Sequence, residues 1–91
     1  MAVGVIWYPP VDNQAYEAIR EKVWQGGQDK GMKFHAAGEA DGGWRIFEVW
    51  ESRDGLEQFI REDLARAFEE TGAQGGPPQP EVVFDVVFQG P

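Results

Sequence analysis

Cysteine is absent from this 91-residue chain, which excludes disulfides, iron–sulfur clusters and thiol catalysis and fits a cytoplasmic address. Histidine is nearly absent. The only one, His35, rules out a zinc site assembled from several imidazoles. Basic residues are scarce, 8 against 16 acidic ones. The formal charge of −8 would be repelled by nucleic-acid phosphates and by anionic membranes, so neither is an expected partner. No apolar run approaches the ~18 residues of a spanning helix. Met1-Ala2-Val3-Gly4 lacks the basic start and apolar middle of a secretory signal. No glycine-rich loop precedes a helix, no serine sits in a nucleophile elbow, and the acidic residues do not repeat with calcium-loop spacing. Metal, nucleotide and flavin find no support, and no cofactor is expected.

What is present belongs to a folded protein. An apolar fraction of 42% and an aromatic fraction of 13% predict one domain over residues 1–91. Four tryptophans are many for this length, and each needs a large apolar surface to cover it. Part of that cover is expected from a second subunit or a ligand.

Val3 to Tyr8 is apolar and rich in β-formers, so it reads as a buried strand that Pro9-Pro10 stops. Asp12 is placed to cap a helix, with Val11 and Tyr16 at staple spacing. Ala15, Tyr16, Ile19 and Val23 follow on one face, Glu17, Arg20 and Glu21 fall on the wet side, and Gly26-Gly27 is the expected end. Met32 to Ala40 and a strand ending at Trp50 form a hairpin about Asp41-Gly42. A two-residue turn sets Phe34 against Val49, Ala36 against Phe47, Ala37 against Ile46, His35 against Glu48, and Lys33 against Trp50. Ser52 or Asp54 caps a second helix, whose stripe is Leu56, Phe59, Ile60, Leu64, Ala67 and Phe68 and whose end is Gly72. A stiff connector, Gly75 to Pro80, leads to a last strand over Val82 to Phe88.

The order β-α-β-β-α-β predicts an α+β, ferredoxin-like fold: a four-stranded antiparallel sheet, strands one and three central, both helices on one face. The other face is then bare. Phe34, Phe47 and Val49 cannot stay in water, since burying each is worth ~1.5–3 kcal/mol, and a second copy of the sheet is the simplest cover.

This layout, with Gly43-Trp44 opening strand three and Val49-Trp50-Glu51-Ser52 leading into a helix that carries Phe59, resembles the dimeric α/β-barrel superfamily, and within it the small antibiotic-biosynthesis-monooxygenase-type proteins. The resemblance spans nearly the whole chain and implies a homodimer joined through the sheet face. It implies a cofactor-independent enzyme acting on a small aromatic or polycyclic quinol-type substrate in a pocket between sheet and helices. Polyketide cyclases, isomerases and non-catalytic stress-associated or ligand-binding dimers share the superfamily and stay open as alternatives. Its haem-degrading members carry an Asn on strand one and a His on a helix, and this chain has neither at those places.

By resemblance, Trp50 matches the tryptophan that lines such a pocket; as a plain residue it equally fills core beneath the second helix. His35 is the one side chain whose ordinary pKa lies near neutrality, and Glu48 opposite it would fix its tautomer, so the pair is the candidate base and orienter. The competing reading is a polar cross-strand pair at a wet sheet end. Tyr16, Trp24, Phe59 and Phe68 face the sheet from the helices, Tyr8 or Trp7 joins them from strand one, and the set suits a flat ligand or simple packing. Lys33 and Arg45 lie in strands and could hold a phenolate.

Overall fold

Strand and helix alternate as the periodicities predict in the computed structural model, which describes residues 1–72 and 77–90. β1 (Val3–Trp7) and β3 (Gly43–Trp50) run antiparallel in the middle of the sheet. β2 (Met32–Ala40) flanks β3 and β4 (Val82–Asp85) flanks β1, giving the order β2-β3-β1-β4. The protein is thus α+β, a four-stranded antiparallel sheet with its helical layer on one face. Among the described residues no helix is long and apolar enough to cross a membrane.

α1 (Asn13–Asp29) begins where Asp12 Oδ1 accepts the Ala15 N–H at 2.8 Å. It does not stop at Gly26-Gly27 but runs through both. The pair marks a close approach rather than a terminus. A β-carbon on Gly26 would overlap the Asp63 carboxylate, and one on Gly27 would press on Met32 and Phe59.

The second helical stretch is three segments in unbroken succession: α2 (Arg53–Phe59), a π-helical turn (Ile60–Leu64) and α3 (Ala65–Thr71). Of the two candidate caps, Ser52 takes the role, its Oγ accepting the Gly55 N–H at 3.1 Å. Gly72, at φ 72°, closes the end as expected. All six residues of the predicted stripe are buried against Val3, Val5, Trp7, Ile19 and Val23. Nothing in the stripe's spacing signals the π turn. Asp63 within it pairs with Lys30 at 2.7 Å and ties the turn to the end of α1.

In the hairpin, Phe34, His35, Ala36 and Ala37 face Val49, Glu48, Phe47 and Ile46 as predicted. Lys33 does not face Trp50. A bulge between Met32 and Phe34 drops Lys33 from the ladder and sets Met32 opposite Trp50. The shift keeps the apolar Met32 against the core and the ammonium in water. β4 stops at Asp85 rather than Phe88. The Val86 N–H still reaches the Ala2 carbonyl at 2.9 Å, after which the partner strand runs out. Of the expected connector, Gly75 and Gly76 lie outside the described residues, and Pro77 to Pro80 form neither helix nor strand.

Val83 turns toward the helices, while Phe84 lies over Gly4 on the opposite face. That face is open in the single chain: Phe34, Phe47 and Phe84 are 47%, 40% and 41% exposed.

Candidate functional site

The alternation of β3 sends Trp44, Ile46, Glu48 and Trp50 toward the helices, and that of β1 sends Val3, Val5 and Trp7 the same way. Glu48 is therefore a carboxylate in an apolar layer, only 5% exposed. A buried charge of this kind is tolerated only when its lone pairs find donors. They do. Oε1 accepts the indole N–H groups of Trp7 at 2.9 Å and Trp50 at 2.8 Å, and Oε2 lies 2.7 Å from His35 Nδ1.

The partners fix the tautomer of the neutral histidine. An ionised carboxylate cannot donate, so Nδ1 of the neutral ring carries the proton and Nε2 presents a lone pair. The Tyr16 hydroxyl, from α1, donates to that lone pair at 2.5 Å. Tyr16, His35 and Glu48 thus form a line of hydrogen bonds anchored at its buried end by two tryptophans. Its other end is also held in place. The Tyr16 ring stacks on Trp44 at a centroid distance of 4.7 Å and an interplanar angle of 18°, and Trp24 meets the His35 ring edge-on at 5.5 Å. Burial pushes the Tyr16 phenol above its ordinary pKa; the Arg20 guanidinium opposes this, and the charges of Glu48 and Glu17 add to it.

Beside this line lies an apolar cavity of about 70 Å³. Tyr16, Trp24, His35, Glu48 and Phe59 all border it, together with Trp7 and Arg20. Its rim includes Val11, Arg20, Trp24 and Pro78, lining residues that keep some contact with solvent, alongside the half-buried Tyr16 and His35. Its volume is roughly half the ~150 Å³ of an apolar cavity that takes benzene, so a ring-sized guest must displace part of the rim.

Three expected members stand elsewhere. Trp50 is fully buried behind Glu48, packed on Phe59 at 5.0 Å, and touches the site only through its N–H. Lys33, ejected by the bulge, is exposed and away from the cavity. Arg45 lies over the Tyr8 ring at 4.2 Å on the open face. Conversely, Arg20, which helical spacing puts on the wet side of α1, borders the cavity. Its place one turn after Tyr16 was the available signal. Of the two strand-one aromatics expected to join the pocket, Trp7 does so, because it shares the inward face with Val3 and Val5, whereas Tyr8 is exposed.

No family model matches the chain, and no curated protein sequence resembles it. Solved structures do share its fold. The protein YjcS is 10% identical over 91% of each chain, with a TM-score of 0.54. MupZ from Pseudomonas fluorescens is 13% identical with a TM-score of 0.52, over 90% of this chain and 62% of that one. Rv0793 from Mycobacterium tuberculosis is 20% identical with a TM-score of 0.50, over 97% and 95%. These likenesses establish a shared small ferredoxin-like α+β fold.

Proposed function

We propose that this protein is a cofactor-independent enzyme of the dimeric α/β-barrel type that removes a proton from a small aromatic or quinol-type substrate held between sheet and helices. The observation that carries the reading is the His35–Glu48 pair at 2.7 Å, bordering a mostly apolar cavity. A carboxylate on Nδ1 orients the ring and stabilises the imidazolium formed when the base accepts a proton. Removing the proton leaves an electron-rich substrate anion, and a dry cavity keeps that anion reactive. In the monooxygenase form, a CH₂ group and O₂ become a carbonyl and water; the substrate supplies the electrons. The same two residues serve a cyclase or isomerase equally, because both reactions need only the proton moved. The working unit is a two-fold dimer of the whole chain, joined through Phe34, Phe47 and Phe84.

The test is oxygen uptake by purified protein over a panel of hydroquinones and anthrone, with solvent-deuterium incorporation into cyclic ketones as the oxygen-free counterpart. His35→Ala should lower either rate about 10²–10⁴-fold, the range that general-base catalysis supplies. Equal turnover by wild type and His35→Ala removes His35 from the chemistry. Wild-type protein that is inert across the panel but binds its members favours a ligand-binding dimer.

A further inference from the structure

We propose that the Tyr16 hydroxyl, not the His35 ring, is the group that touches the substrate, relaying the substrate's proton to His35, and that Arg20 selects single-ring compounds that become oxyanions, namely enolisable ketones and phenols. The inference rests on the proton-transfer reading of this cavity and specifies its contact atom and substrate class.

Both nitrogens of His35 are engaged, Nδ1 by Glu48 and Nε2 by Tyr16, and Trp24 covers the ring's edge. A substrate reaches Nε2 only by displacing the hydroxyl. The Tyr16 oxygen is different: it commits its one hydrogen to Nε2 and keeps lone-pair capacity for an incoming proton. Tyr16 lines the cavity, and its ring is fixed by the stack on Trp44.

The step follows from those positions. The substrate's C–H or O–H proton passes to the Tyr16 oxygen as the tyrosine's own proton passes to Nε2. The electron pair of the broken bond stays on the substrate as an enolate or phenolate. An imidazolium is left between Tyr16 and the Glu48 carboxylate. Running the relay backwards returns a proton to the same or another substrate atom. Burial holds the phenol neutral at rest, which suits a relay and not a standing phenolate.

The new negative charge needs a counterpart. Among the described residues, Arg20 is the only cation bordering the cavity and has no acidic partner within 4.0 Å. A guanidinium already in place beside an apolar space stabilises an oxyanion more than it stabilises a neutral ketone. The cavity of about 70 Å³ is smaller than one ring, so single-ring guests displace the least of its lining.

The probe is cyclohexanone in D₂O, with α-proton exchange followed by NMR for wild type, Tyr16→Phe, His35→Asn, the double variant and Arg20→Met. Tyr16→Phe keeps the ring and its stack. Each single change in the relay should slow exchange at least a hundredfold, the double variant should be no slower than either, and Arg20→Met should cost about tenfold. Because the chain has one histidine, the ring ¹⁵N signals are unambiguous: Tyr16→Phe should move Nε2 and leave Nδ1 protonated. Tyr16→Phe with wild-type exchange beside an inactive His35→Asn overturns the relay and leaves His35 as a direct base. An unmoved Nε2 signal overturns it as well. Wild type no faster than buffer overturns the relay together with the proton-transfer reading.

Discussion

Gly55, in the first turn of α2, lies against the backbone carbonyl of Lys30 at the end of α1, closer than any side chain allows. The contact brings together two helix ends that are also joined by the Glu51 N–H bonding to the Gly31 carbonyl at 2.8 Å. Gly55→Ala should therefore destabilise the protein by about 1–3 kcal/mol, although alanine is the better helix former by ~1 kcal/mol. Gly38→Ala, with nothing within 4 Å of the added carbon, should be neutral or slightly stabilising. Urea midpoints at unchanged slope measure both.

Glu48 is held by three N–H groups, and each variant at this position has a distinct outcome. In Glu48→Gln the amide oxygen is needed by the two indoles, so the amide N–H₂ faces His35 Nδ1. That nitrogen must then accept, the ring proton moves to Nε2, and the lone pair facing Tyr16 is lost. Ring ¹⁵N shifts should report the flipped tautomer, and any proton-transfer activity should fall at least a hundredfold. Glu48→Ala strands all three donors and should cost at least about 3 kcal/mol in denaturant unfolding.

Much of this arrangement is legible in the residue order. The hairpin turn, the alternation of β3 and the stripe of the second helix fix which residues face inward, and His35 opposite Glu48 follows from them. Three features are not legible, each for a physical reason. Gly26-Gly27 reads as a helix stop, because glycine ends helices when nothing packs on it; here Asp63, Met32 and Phe59 do, and tertiary contact overrides propensity. The bulge at Lys33 does not change the apolar alternation further along β2, so the pattern gives it no signal. The Trp7 donor on Glu48 comes from a strand 41 residues away in the chain, and no local pattern links the two, whereas Trp50 shares the inward face of β3 two residues on.

Alkaline pH tests the environment of Tyr16. Burial raises its folded pKa above the ordinary value of 10.0, so between the unfolded and folded values the native state holds a proton that the unfolded chain has lost. The stabilisation is fully present below pH 10 and is lost as pH rises through the folded pKa. Lys30, raised by its bond to Asp63, declines in the same direction at similar pH. Comparison with Tyr16→Phe isolates the phenol: the variant should lose less stability than wild type between pH 9 and 11, as read by urea midpoints. Parallel declines in the two proteins place Tyr16 in a wetter setting than the stack on Trp44 implies.

The open face of the sheet carries the last prediction. Phe34 and Phe47 meet there at a centroid distance of 5.8 Å, Phe84 covers Gly4, and all three rings remain about two-fifths to one-half exposed. Buried against a second copy, each contributes on the order of 1.5–3 kcal/mol. Exposed, they form an apolar patch that a monomer has no reason to keep. Phe47→Asp removes one ring and sets a carboxylate where the proposed dimer is driest, while in the single chain that side chain already meets water. The variant should keep its fold by circular dichroism and sediment as a monomer at micromolar concentrations where the wild type sediments as a dimer. Aspartate at this position that leaves the wild-type mass unchanged moves the interface off the sheet, and a wild type that is itself monomeric removes the dimer.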